Sequence, residues 1–450
     1  MKKNYLRYSF ILTFTVILIL FSGYFFTPFS IGDFTIKKMN ILSDLKLNKE
    51  NSDLVKTEKI IVPEKIDPDC PPNIICIEEF SSRDNAMKHF YDVLDSISLL
   101  DRPIRIGFYG DSFIGGDIMT CDIRDRLQKI YGGCGVGYMP LTSEAPGFRK
   151  TVIHGFQNIT TESLIQSSSE PGISGYAFKA EQNAGVFYKG VDKPGLNEFS
   201  VVRLLYQGKS RISASYRINK KDAVPVESDT IPGVHCAVIR DSVQSIDFYF
   251  SPGMVIYGVY LDCDKGVAVD NFSIRGHSGL NLRNISQANL QQTNKLLHYD
   301  LIVLQYGLNV AGTNTVNFDE YKKNMLKNIA HIKTAFPDAS IILMGVGDRS
   351  VHYQGNYVTM PGILNLLPVQ KEIAATSHIA FWDLFQAMGG ENGMTRFVSA
   401  QPPLAAKDYT HLSFEGGKVI ATQFVNALLY GKKQYDRTKN KSAFDYPELL

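Results

Sequence analysis

The stretch that decides the fold is residues 104–112, Ile-Arg-Ile-Gly-Phe-Tyr-Gly-Asp-Ser. Its first seven residues are mostly apolar and predict a short strand, which starts directly after the helix-breaking Pro103. Apolar residues at helical spacing follow over 117–131, and a glycine pair at 132–133 marks the end of that helix. A strand, a tight turn and a helix in this order open an α/β unit.

The α/β pattern stops after this unit and resumes near residue 267. Between them, residues 141–263 contain short alternating segments separated by turn signals, which is typical of an all-β sandwich. Later strands are predicted at 301–306, 340–344 and 379–382, and helices near 285–297, 318–336, 369–377 and after residue 411. We therefore predict a three-layer α/β/α domain with a parallel sheet, interrupted by an inserted all-β domain of sandwich or jelly-roll type.

These patterns divide the 450 residues into six predicted segments. They are an N-terminal membrane anchor or signal segment (1–27), a polar, Pro-punctuated stalk (28–84), the first part of the α/β domain (85–144), the inserted β domain (145–262), the second part of the α/β domain (263–432) and a C-terminal tail (433–450).

The N-terminal segment indicates export from the cytoplasm. Lys2, Lys3 and Arg7 precede an apolar run from about Tyr8 to Phe26, close to the ~20 residues that span a bilayer. The run ends without a small-residue cleavage site, which favours an uncleaved inner-membrane anchor over a cleaved signal peptide. The positive-inside rule then places the rest of the chain in the periplasm or another extracytoplasmic part of the envelope.

Charge and cysteine content limit the partners and the compartment. A net charge of +2 is too small to supply the field that binding of a phosphate backbone needs, so we expect no nucleic-acid partner. Six cysteines suit an oxidising compartment. Cys70 with Cys76, and Cys121 with Cys134, are the two pairs that short separation suggests, and the sequence does not choose between these and other pairings.

A serine lies where the first strand ends. In open α/β sheets ligands bind at the carboxyl ends of strands, so the hydroxyl of Ser112 in Gly110-Asp111-Ser112 is placed to face a ligand. A serine nucleophile needs a base, and His411 has an acid, Asp408, three residues before it. One turn of chain brings such a carboxylate to the imidazole, as in a Ser-His-Asp arrangement. The alternative is an ordinary turn and a helix cap.

Two further segments also follow strands. Asn309 ends the most hydrophobic strand, where its carboxamide can donate a hydrogen bond to a developing oxyanion without changing protonation state. In residues 273–279 a glycine allows a backbone N–H to approach a substrate oxygen closely, and Gly276 and Gly279 compete for this role. Nothing in the sequence has the spacing of a metal site, so neither a metal nor another cofactor is expected.

In chain order, these four segments resemble the Ser, Gly, Asn and His blocks of the SGNH (GDSL-type) hydrolase superfamily, over roughly 104–132 and 267–430. The resemblance implies that Ser112 is the nucleophile, His411 the base and Asp408 its orienting acid. It also implies an oxyanion hole formed by the N–H of Ser112, the N–H of Gly276 and the side chain of Asn309. The sequence departs from the usual pattern at Phe113 and Val310, and neither position has a role in the reaction.

A narrower resemblance rests on Gly116-Asp117, residues 124–127 and 135–138, and the β insertion that follows. These features are similar to exported peptidoglycan O-acetylesterases and cell-wall O-acetyltransferases, in which the inserted β domain is like a carbohydrate-binding module. The resemblance implies a serine esterase that removes O-acetyl groups from an envelope glycan, with peptidoglycan as the expected partner. An O-acetyltransferase with the same residues and a non-catalytic glycan-binding protein are the alternatives; protein partners stay undefined.

Overall fold

A computed structural model describes residues 10–16, 29–31, 34–36, 69–80, 85–165, 170–208, 213–226, 229 and 231–444. The chain divides into two units, Met1–Ile60 and Ile61–Leu450. The first contains helix α1 (residues 10–16) and the antiparallel pair β1 (Phe29–Ile31) and β2 (Phe34–Ile36). Across the described ranges, no helix has the length and apolar character needed to span a bilayer. Most of the predicted anchor, 1–27, lies outside the described residues, so the anchor stays a prediction.

A parallel sheet of five strands forms the centre of the second unit. Its spatial order is β13 (Val267–Ser273), β3 (Ile104–Gly110), β14 (Tyr299–Gln305), β15 (Ser340–Met344) and β18 (Ala380–Trp382). Every residue of β3, β14 and β15 is buried, which explains why these strands are nearly continuous apolar runs in the sequence. The predicted parallel sheet is confirmed.

Helices form two layers against this sheet. One contains α2 (Lys88–Asp95), α3 (Thr120–Tyr131) and α9 (Phe414–Phe444), and the other contains α4 (Gln287–Leu297), α5 (Asp319–Ala335) and α6 (Pro361–Ser377); α7 (Leu384–Ala387) and α8 (Gly393–Ser399) are short. Helix α6 begins before the predicted start near Val369 because it continues through Pro368. The predicted tail, 433–450, is helical as far as Phe444.

The strands between α3 and β13 form a separate antiparallel sheet. It consists of nine strands, β4 (Gly135–Met139), β5 (Val152–Ser163), β6 (Tyr176–Gly190), β7 (Phe199–Gly208), β8 (Ala214–Ile218), β9 (Val224–Val226), β10 (Gly233–Val243), β11 (Ser245–Phe250) and β12 (Val255–Asp262). Its first strand, β4, pairs with β12 and lies before the predicted domain boundary at residue 145. That boundary stays a prediction.

Aromatic side chains of the antiparallel sheet mostly fill cores. Tyr188 is completely buried, and Tyr206 and Tyr257 are also buried. This follows from their positions in alternating strands, where the inward side chains pack between neighbouring strands. These rings therefore have no free face for a ligand.

Two kinds of link join the antiparallel sheet to the parallel one. The guanidinium of Arg105 in β3 bonds to Asp270 in β13 and to Asp262 at the end of β12, with N–O distances of 2.9 and 2.6 Å, and all three are buried. The disulfide Cys134–Cys263 closes the base of the insertion. The suggested Cys70–Cys76 pair is confirmed, whereas the suggested Cys121–Cys134 pair is wrong because Cys134 bonds the distant Cys263 and Cys121 is a free thiol.

Candidate active site

The predicted site residues meet at the carboxyl edge of the parallel sheet. From β3 the chain continues to β13 on one side, and β14 then pairs with β3 on the other side, so the topological switch lies between β3 and β14. Crevices at such switch points bind ligands in open α/β sheets. Ser112 follows β3, Asn309 follows β14 and Gly276 follows β13. The residues therefore surround one crevice.

Ser112, His411 and Asp408 form a hydrogen-bonded chain. The distance from Ser112 Oγ to His411 Nε2 is 2.9 Å, and the distance from His411 Nδ1 to Asp408 Oδ2 is 2.7 Å. The imidazole side chain is 35% exposed and the carboxylate side chain 50% exposed, so solvent and substrate can reach both. One ring nitrogen is thus held by an acid while the other faces the serine hydroxyl, which is the geometry of a serine activated by a general base.

The loop before α9 builds the acid–imidazole pair locally. Asp408 Oδ1 accepts the backbone N–H groups of Thr410 and His411 at 2.9 and 3.0 Å, a turn that brings Oδ2 to the ring. Partial burial alone would raise the pKa of Asp408, but the hydrogen bonds from the His411 ring and from these two N–H groups outweigh it and lower that pKa. The carboxylate therefore stays ionised beside the imidazole at neutral pH.

The serine turn is fixed by its neighbours. Ser112 begins a 3-10 turn over Ser112–Asp117, and the side chain of Asp111 accepts the N–H of Phe113 at 2.9 Å. At the end of the turn Gly116 takes a left-handed φ of 65°, which a residue with a Cβ adopts at a cost. The buried Asp117 is then held by Arg124. The turn thus has little freedom to move Ser112 away from His411.

Asp111 is a positioning residue that the sequence does not single out. Its Oδ2 accepts a hydrogen bond from Asn309 Nδ2 at 3.0 Å, and the same nitrogen donates to the backbone oxygen of His277 at 3.1 Å. The Asn309 carboxamide is therefore held between Asp111, which follows β3, and His277, in the loop that follows β13. Only the presence of Asp111 inside the Gly-Asp-Ser motif hinted at this role, because its contact with Asn309 joins residues that are distant along the chain.

The protonation of Asp111 makes the stability of the fold depend on pH. Burial raises the pKa of Asp111 to about 6, although the N–H of Phe113, the nearby His411 and the amide of Asn309 each oppose this rise. The folded pKa lies above the ordinary 3.8, so the folded state holds this proton more tightly. The contribution of Asp111 to stability is thus complete below about pH 4 and is lost as the pH rises through about 6.

We therefore expect the unfolding free energy of the wild type, relative to Asp111→Asn, to fall by up to about 3 kcal/mol between pH 4 and pH 7. Denaturant unfolding of both proteins across this pH range measures the difference between their unfolding free energies. The contributions of titrating groups that the two proteins share cancel in this difference. Asp241→Asn, which removes an exposed carboxylate, is the control and should give a nearly flat difference. A difference that is flat for Asp111→Asn as well would contradict a carboxyl group with a raised pKa.

The two candidate glycines differ in their surroundings. Gly276 is exposed, has a φ of 73° and faces open space where a side chain would start. Gly279 is buried, and a Cβ there would meet the ring of Tyr306 at 2.6 Å. Open space beside the backbone is what a bound acyl oxygen needs, so these surroundings favour Gly276. Within the described ranges, no group of three or more His, Cys, Asp or Glu residues is placed to hold a metal.

Comparison with known proteins supports the fold. No protein-family model and no curated protein matches the chain. Among solved structures, one of a peptidoglycan O-acetylesterase matches 80% of this chain and 99% of its own, with a TM-score of 0.66 and 20% identity. A family two carbohydrate esterase from Cellvibrio japonicus matches 63% of this chain and 98% of its own at 8% identity, with a TM-score of only 0.27.

The parallel α/β sheet, the separate antiparallel sheet and the Ser112, His411 and Asp408 geometry agree with the fold and the site expected for the class of SGNH-type hydrolases. Within this class the predicted resemblance to peptidoglycan O-acetylesterases is confirmed at the level of the fold, over most of the chain.

Proposed function

We propose that the protein is a serine esterase that removes O-acetyl groups from a cell-envelope glycan. The fold likeness to a peptidoglycan O-acetylesterase supports peptidoglycan as that glycan. The observation that carries the proposal is the hydrogen-bonded chain of Ser112, His411 and Asp408, with distances of 2.9 and 2.7 Å, at the switch point of the sheet. A structural serine or a helix cap would not require an imidazole held by a carboxylate. The same chain argues against a purely glycan-binding role.

In the first half of the reaction, Ser112 Oγ attacks the acetyl carbonyl carbon while His411 Nε2 takes the hydroxyl proton. Asp408 stabilises the imidazolium that forms. The bond between the acyl carbon and the sugar oxygen then breaks, and His411 returns the proton to that oxygen. In the second half, water attacks the acetyl-enzyme with His411 as base, and acetate leaves as Ser112 recovers its proton.

The negative charge that develops on the acetyl oxygen needs donors. The N–H of Ser112, the N–H of Gly276 and the Nδ2 of Asn309 are the groups assigned to this task. In the substrate-free site, Nδ2 of Asn309 donates to Asp111 and to the oxygen of His277, so the oxyanion must share one of these hydrogens. Asp111 thereby sets where the carboxamide points.

The setting of the enzyme is also part of the proposal. An extracytoplasmic protein anchored in the inner membrane by residues 1–27 would meet an envelope glycan directly, and the apolar N-terminal run supports this placement. The antiparallel sheet is proposed to be a carbohydrate-binding-like domain, supported by its being a separate sheet inserted between α3 and β13.

The test compares acetate release by the full chain from purified O-acetylated peptidoglycan and from other acetylated polysaccharides, with and without a sugar acceptor, with products identified by mass. We expect free acetate from peptidoglycan whether or not the acceptor is present. Acetyl groups that appear on the acceptor instead of in free acetate would assign an O-acetyltransferase, which uses the same residues. No acetate and no transfer from any substrate would contradict the proposed function.

A further inference from the structure

A small hairpin stands beside the candidate active site. Strands β16 (Ser350–Tyr353) and β17 (Asn356–Thr359) pair only with each other among the described strands. A lone two-stranded hairpin is marginal in water, so it needs support from elsewhere. Part of that support comes from the loop that carries Asp408 and His411: the N–H of Ser350 donates to the oxygen of Tyr409 at 3.0 Å.

Aromatic rings connect the hairpin to the same loop. The rings of Tyr357 and Tyr409 stack with centroids 3.6 Å apart and planes 6° apart. Tyr409 lies directly between Asp408 and Thr410, and its φ of 54° is unusual for a residue with a side chain. Tyr357 is 40% exposed and Tyr353 is 60% exposed. Unlike the buried rings of the antiparallel sheet, the rings of Tyr353 and Tyr357 therefore have surface available to a ligand.

A cation lies at the base of the hairpin. Arg349 follows β15 at the carboxyl edge of the sheet and is partly exposed. Its Nη1 lies 3.5 Å from the backbone oxygen of Leu308, the residue before Asn309. No carboxylate in the described part of the chain forms an ion pair with Arg349. The adjacent acid, Asp348, accepts the N–H of Met394, and Asp408 of the neighbouring loop holds His411.

We propose that Arg349, Tyr357 and Tyr409, here called the hairpin site, bind a carboxylate-bearing unit of the glycan next to the sugar that loses its acetyl group. The inference rests on the proposed function and names its substrate class, an anionic rather than a neutral polymer. Planar guanidinium groups bind carboxylates in a fork geometry, and tyrosine rings stack on the apolar faces of sugars.

The reaction geometry places the polymer at this site. The leaving sugar oxygen must lie at His411 Nε2, because that nitrogen returns the proton to it. The rest of the sugar chain then extends over the loop that carries His411. Tyr409 of that loop is partly exposed, and its stacked partner Tyr357 in β17 is 40% exposed. Arg349 contacts Leu308 at the Asn309 strand end, and the next residue, Ser350, bonds to Tyr409 of the loop. A carboxylate there would reach a guanidinium that has no ion-pair partner among the described residues.

The experiment uses one polymer in two charge states. Purified O-acetylated peptidoglycan is compared with the same material after its carboxylates are converted to neutral amides, and p-nitrophenyl acetate serves as the small ester. For the wild type, we expect kcat/KM to fall about tenfold when the polymer is neutralised, as loss of a charge-assisted contact predicts. Arg349→Ala should lose about the same factor on the native polymer and show no further loss on the neutral one.

Control variants separate binding from structure. Arg349→Lys, which keeps the charge, should recover part of the preference for the native polymer. Arg437→Ala removes an exposed arginine of α9, outside the antiparallel sheet, and should leave turnover of all three substrates unchanged. Tyr357→Ala should lower kcat/KM on both polymers and leave the small ester within about twofold.

Two outcomes would overturn the hairpin site. The first is equal turnover of native and neutral polymer by the wild type. The second is a loss of kcat/KM in Arg349→Ala that is as large on p-nitrophenyl acetate as on the polymer, because Arg349 would then only position Leu308 and Asn309. Both outcomes leave the esterase itself intact. Failure of the wild type to hydrolyse any of the three substrates would instead remove the proposed function and the hairpin site with it.

Discussion

Replacement of Ser112 by alanine is expected to reduce turnover of a small acetyl ester by about 10⁴-fold or more. The substitution removes the oxygen that forms the acetyl-enzyme, and only contributions from the oxyanion donors and from binding remain. The measurement is the rate of acetate release by the purified full chain, with the uncatalysed rate subtracted.

The matched control is Ser242→Ala, which removes an exposed hydroxyl in β10, far from Ser112 in the sequence. It should keep the wild-type rate. Thermal unfolding of Ser112→Ala should resemble that of the wild type, because the partly buried hydroxyl makes one hydrogen bond, to the His411 ring. Turnover that survives in Ser112→Ala would refute the assignment of the nucleophile.

Asp408→Asn is expected to lower kcat by about 10³-fold while changing KM little. The asparagine oxygen can still accept the N–H groups of Thr410 and His411, so the turn is kept. Its NH₂ group, however, would face His411 Nδ1 and favour the tautomer that puts the proton on Nε2, where it cannot take one from Ser112.

The effect is smaller than for Ser112 because Asp408 is half exposed and water can replace part of its stabilisation of the imidazolium. Steady-state kinetics on the same small ester measure it. Asp241→Asn, again an exposed carboxylate, should leave kcat unchanged. A kcat within about threefold of wild type in Asp408→Asn would show that the acid has no part in orienting His411.

The elements that could be predicted from the sequence are those with local signals. The strand Ile104–Gly110 is buried on both faces and is therefore a continuous apolar run, and the acid–imidazole pair lies within one turn of chain. Ser112 and His411 are distant in the sequence, and their pairing was predicted from the acid three residues before His411 and from the resemblance in block order. The structure places Ser112 Oγ and His411 Nε2 2.9 Å apart.

Features that depend on long-range pairing had no such signal. The strand β4 looks like part of the first α/β segment, yet it pairs with β12, more than a hundred residues later. Cys134 bonds Cys263 for the same reason, because both cysteines adjoin these paired strands, whereas proximity along the chain had suggested Cys121. The contact between Asp111 and Asn309 likewise arises only when β3 and β14 become neighbours.

The most direct test of the central claim is to look for the acetyl group on the enzyme. The full chain is mixed with O-acetylated peptidoglycan, quenched in acid during turnover and digested, and the peptides are analysed by mass spectrometry. The account predicts an acetyl group on Ser112 in the wild type and none in Ser112→Ala. Acetate release without any acetylated Ser112, or acetylation that persists at another residue in Ser112→Ala, would contradict it.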